Sequence, residues 1–123
     1  QWMVFLGWEP HPMNTSFDIA YLEGADEYFG PDLGGATVYT NTRAGFGEQC
    51  PNVATLLSNL SFTLEMENQL MGEIMDEGAA PRDAARAYLQ AHPAVLEEWL
   101  EDVTTFEGEP ALPAARRALS IES

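Results

Sequence analysis

Phe5-Leu6-Gly7-Trp8-Glu9-Pro10-His11-Pro12-Met13-Asn14 is the stretch that decides how this chain is read. An apolar run, Trp2 to Leu6, ends on Gly7 and delivers Trp8 into a segment where two prolines forbid regular pairing. Pro10 and Pro12 fix their own φ and lack an N–H, and they push Glu9 and His11 toward extended backbone. Trp8 is therefore expected at the mouth of a buried strand, on a stiff loop. Such loops are where α/β proteins place ligand contacts. By pattern alone, Trp8 is either a ligand-facing aromatic or a strand-end core tryptophan.

Outward from this loop, the first third of the chain reads as strand and loop. Residues Trp2–Leu6, Phe17–Leu22 and Ala36–Asn41 are strand candidates, the last a β-branched and aromatic run. A loop rich in Gly, Asp and Pro is expected between Glu23 and Gly35. Then the character changes to helix. Pro51 suits a first helical position, with Val53, Leu56, Leu57 and Leu60 as the apolar stripe. Thr63 is placed to cap a helix carrying Glu65 and Glu67 in its first turn and Met66, Leu70 and Ile74 along one side, with Gly78 as its stop. Pro81 starts another helix through Ala91. His92-Pro93 breaks it and leads into Val95, Leu96, Trp99, Leu100 and Val103. A short helix near Ala114–Leu119 closes a tail punctuated by Gly and Pro.

Three strands followed by helices alone make half of an α/β pattern. A three-stranded sheet would leave open edges and a bare face, so a partial fold is expected. The abrupt opening on Gln1-Trp2-Met3-Val4, already inside an apolar run, carries the same expectation. In 123 residues there are 20 acidic side chains against 5 arginines and no lysine, a net charge of −15. Phosphates would be repelled by that field, which argues against nucleic acid and anionic membranes as partners. The single Cys50 excludes an internal disulfide, and no apolar run is long enough to span a bilayer. No signal peptide is recognisable in the chain.

Signatures of enzymes are missing from the sequence: no nucleophile elbow, Cys/His pair, phosphate loop or metal-ligand spacing occurs. His92 reads as a helix-start residue, and Met66, Met71 and Met75 read as core filler. The aromatic residues are what remain. A quaternary ammonium group donates no hydrogen bond, so proteins hold it against the faces of Trp and Tyr rings. Trp8 is the best-placed candidate. Trp2 and Trp99 read as core, while Tyr39 could face either way.

At this point the residues resemble a known family. Gly7-Trp8-Glu9-Pro10-His11-Pro12-Met13-Asn14 and Phe17-Asp18-Ile19-Ala20-Tyr21-Leu22 look like the substrate-binding proteins of quaternary-amine ABC importers. So do Gly34-Gly35-Ala36-Thr37-Val38-Tyr39-Thr40-Asn41-Thr42-Arg43, Cys50-Pro51-Asn52 and Phe62-Thr63-Leu64-Glu65-Met66-Glu67-Asn68. The likeness runs from about Phe5 to Phe106 and is nearest to the choline-binding branch, with glycine-betaine and proline-betaine binders as cousins.

The resemblance implies a partial type II periplasmic-binding-protein fold, an α/β architecture of two lobes with ligand caught in an aromatic box between them. Residues 1–36 would complete the second lobe and carry the ligand loop. Residues 37–42 would be the crossover strand, 43–106 the helical part of the first lobe, and 107–123 a tail. Trp8 maps onto the box tryptophan, and His11 onto the histidine that can meet the carboxylate of a betaine; the other box members are expected outside this chain. The implied role is capture of choline in the bacterial periplasm for an ABC permease, without catalysis, cofactor or metal. The alternatives are a glycine-betaine or proline-betaine binder, or a truncated module that only binds protein partners. Because two lobes' worth of apolar surface would lack its cover, a homo-oligomer formed by segment exchange near Ala36–Asn41 is also expected.

Overall fold

A computed structural model describes residues 2–121. Gln1, at the head of the expected second-lobe segment, and Glu122 and Ser123, at the end of the tail, lie outside them. The described elements are helical: α1 Met13–Ser16, α2 Asp26–Phe29, α3 Pro31–Gly34, α4 Phe46–Gln49, α5 Pro51–Asn59, α6 Leu64–Met75, α7 Pro81–Ala91, α8 Pro93–Trp99 and α9 Ala111–Leu119.

The longer helices begin and end where local chemistry dictates. Prolines occupy the first turns of α5, α7 and α8, where a missing N–H costs nothing. Thr63 caps α6, its Oγ1 accepting the Met66 N–H at 3.1 Å, and Glu65 and Glu67 face the positive end of the helix dipole. Past the end of α6, Gly78 adopts φ 75°, which lets the Ala79 N–H reach back to the Glu73 carbonyl at 2.9 Å. A side chain at that φ would be strained, so glycine suits the position. Helix α9 starts at Ala111, one turn before the expected Ala114.

Helix α7 is the hub, packing against α6, α8 and α9, while α5 rests on α8 and α1 on α6. The core is small: Met66, Ala84, Tyr88, Leu96 and Val103 are its buried apolar residues. Polar ties reinforce it. Asn52 clamps Thr104, its Nδ2 donating to the Thr104 carbonyl at 2.7 Å and its Oδ1 accepting the Thr104 N–H at 2.8 Å. Trp99 donates from Nε1 to the Ser61 carbonyl at 3.1 Å and tilts against Phe62, so it is half-buried at the seam between α8 and the α5–α6 connection. An Arg116–Glu97 ion pair joins α9 to α8.

The three expected strands do not form. Trp2–Leu6, Phe17–Leu22 and Ala36–Asn41 carry no ladder, and among the described residues the only β pairing is an isolated bridge between Thr104 and Pro110. Periodicity and β-branching report a side-chain pattern, whereas a strand exists through hydrogen bonds to a neighbour. With no neighbour these runs lie open: Trp2 is 101 % exposed and Val38 94 %, so Trp2 is not core. The expected loop between Glu23 and Gly35 contains the single turns α2 and α3, and Tyr39 faces solvent.

Candidate ligand-binding loop

The segment from Gly7 to Asn14 is organised by asparagines as much as by prolines. Asn14 donates from Nδ2 to the carbonyls of both Trp8 and His11, each at 3.0 Å, closing the loop on itself. Its Oδ1 accepts the Tyr21 hydroxyl at 3.0 Å. Asn68, on α6, accepts the His11 N–H on Oδ1 at 2.7 Å and so ties the loop to the helical body. Pro12 is buried and leads into α1. The Glu9–Pro10 peptide is cis.

On this frame Trp8 is 56 % exposed and meets the His11 ring edge to face, centroids 5.3 Å apart. A strand-end core tryptophan would be covered; this one presents indole surface to solvent. The His11 ring has a defined tautomer. Its Nδ1 accepts the Met13 N–H at 3.1 Å, so in the neutral ring the proton sits on Nε2, which is left as a donor. Burial pushes the Tyr21 phenol above its ordinary 10.0, and the nearby Glu9 carboxylate acts in the same direction.

Exposed aromatic surface beside an acidic residue suits a cation that brings no hydrogen-bond donor. Two hollows lie elsewhere. One, of about 400 Å³, is lined by Leu112, Pro113, Arg116, Arg117 and Ile121, and its arginines would repel a cation. The other, of about 310 Å³, lies between Thr40, Thr42, Phe46, Ala54 and Leu57. Neither includes Trp8, whose surface is open.

The remaining candidates have structural places. His92 stacks on Tyr88 with centroids 4.1 Å apart, and its Nδ1 bonds to the Tyr88 carbonyl at 3.0 Å, at the junction of α7 and α8. Met66 is core, while Met75 is 56 % exposed. Among the described residues no cluster of His, Cys, Asp or Glu could hold a metal ion. Asn14, Tyr21 and Asn68 are members of the site that residue-type reasoning did not single out. Asn14 lies just beyond Pro12, after a proline-broken loop whose Trp8 and His11 carbonyls lack regular partners, which is the one signal for it.

Comparison with known proteins gives the chain its relatives. Residues 1–91 match the family model of the substrate-binding domain of the ABC-type glycine betaine transport system. The glycine betaine/carnitine transport binding protein of Listeria monocytogenes is 29 % identical over 107 residues, which is 87 % of this chain and 34 % of that protein. Two solved structures of an ABC-transporter choline binding protein, each 53 % identical, cover 92 % of this chain and 39 % of theirs. The complex with choline superposes with a TM-score of 0.80, and the unliganded semi-closed form with 0.73. The chain therefore spans little more than a third of the length of these relatives, and its helices with their unpaired extended runs are a part of the periplasmic-binding-protein fold. The chain belongs to the family of substrate-binding domains of ABC-type glycine betaine transport systems.

Proposed function

We propose that this chain serves in the capture of choline by the substrate-binding protein of an ABC importer, which hands its ligand to a membrane permease from the periplasm. Residues 1–36 contribute the ligand loop of one lobe, 37–42 the crossover, and 43–106 the helices of the other, with 107–123 as the tail. Trp8 supplies one face of an aromatic cage. The observation that carries the reading is the half-exposed Trp8, held on a loop closed by Asn14 and tied down by Asn68, in a chain 53 % identical to a protein solved with choline. The function is binding, without chemistry on the ligand.

A second reading, a betaine as ligand, is favoured by the free Nε2–H donor of His11, which suits a carboxylate that choline lacks. Equilibrium dialysis of the full-length protein with labelled choline, competed by glycine betaine, decides between them. Choline retained against excess glycine betaine supports the first reading, and ready displacement supports the second.

A further inference from the structure

Asn68 is a buried polar side chain, 7 % exposed. A buried carboxamide is costly unless it is paired. Here its Oδ1 takes the His11 N–H at 2.7 Å across 57 positions of sequence. The His11 backbone is thereby gripped on both sides: its N–H by Asn68 and its carbonyl by Asn14, which also holds the Trp8 carbonyl. Asn14 shapes the loop internally. Asn68 fixes it to α6, a twelve-residue helix anchored by the buried Met66 and the Thr63 cap. A second polar link runs from Ser16 Oγ to Asp76, the residue that caps the end of α6, at 3.4 Å, exposed and long.

We propose that Asn68 is a positioning residue for the ligand site: through the His11 amide it sets where the indole of Trp8 stands relative to α6, and with it the affinity for a quaternary ammonium ion. The proposal rests on the choline reading and deepens it. Loss of the acceptor leaves the His11 N–H unpaired in a half-buried place, so the loop shifts or opens to water.

The test uses the full-length protein and its Asn68→Leu, Asn68→Ala and Asn68→Asp variants, with choline as the probe. Two quantities are read: hydrogen exchange of the His11 amide without ligand, and choline affinity by calorimetry. Leu and Ala remove the acceptor and should speed His11 exchange about tenfold or more while weakening choline binding about fivefold or more. Asp keeps an acceptor oxygen at the same reach and should hold both quantities within about threefold of wild type. Unchanged His11 exchange in the Leu or Ala variant overturns the proposal, and so does an Asp variant as impaired as the other two. Should either apolar variant fail to fold, the other and Asp still decide it. If the unmodified protein takes up no choline, the functional reading fails, whereas the exchange arm still shows whether Asn68 orders the loop.

Discussion

The rings of Trp8 and His11 meet at 76°, centroids 5.3 Å apart, so the imidazole packs against the indole in a T-shaped pair. An edge-to-face pair of this kind contributes about 0.5–1.5 kcal/mol beyond area burial. His11→Ala should therefore weaken choline and glycine betaine alike, by several-fold, if the imidazole only braces the loop. A loss confined to glycine betaine would show that Nε2–H holds a carboxylate. Parallel titrations of the variant with the two ligands check this.

Tyr21 offers a pH readout of the same loop. Its folded-state pKa is raised, so the neutral phenol, which donates to Asn14, persists in the folded protein at pH values where an unfolded tyrosine ionises. The contribution of the neutral Tyr21 to stability is present below the ordinary value of 10.0 and is lost as pH rises through the higher folded value. Spectrophotometric titration, read as the difference from a Tyr21→Phe variant, should show the Tyr21 phenol ionising late, and Glu9→Gln should move it back toward the ordinary value. No change on Glu9→Gln would remove the carboxylate as a cause.

Helix α6 carries Asn68, and its start depends on one hydroxyl. Thr63→Ala deletes the acceptor for the Met66 N–H and should cost about 1 kcal/mol of stability. Thr63→Ser should recover most of it. Chemical denaturation of the three proteins measures both differences.

The helical part of the fold was legible because its signals are local. Pro51, Pro81 and Pro93 in first turns, the Thr63 cap and the Gly78 stop each act within a few residues, and all are where the pattern places them. The strands were not legible as formed elements, since Trp2–Leu6 or Ala36–Asn41 becomes a strand only when another segment completes its ladder. Trp8 could be singled out from the flanking prolines, but not its tether. The Asn68–His11 bond joins positions 57 apart and leaves no periodic trace in the sequence.

Apolar residues left open by the missing ladders predict how the 123-residue chain behaves alone. Trp2, Val4, Phe17 and Val38 are 101 %, 79 %, 69 % and 94 % exposed. Faces of that kind drive association. Light scattering at micromolar concentration should report a dimer or larger species, by exchange or pairing of the extended segment near Ala36–Asn41. A compact monomer that unfolds cooperatively would contradict this.

The central claim is that Trp8 meets the ligand while Trp99 serves the fold, and isothermal calorimetry of choline against the full-length protein, Trp8→Ala and Trp99→Ala tests it most directly. A cation over a desolvated indole is worth about 2 kcal/mol, so Trp8→Ala should weaken choline binding at least about tenfold with little change in unfolding temperature. Trp99→Ala, which loses the bond to Ser61 and the contact with Phe62, should lower stability and leave the affinity of the folded protein intact. A larger affinity loss from Trp99→Ala than from Trp8→Ala would contradict the account.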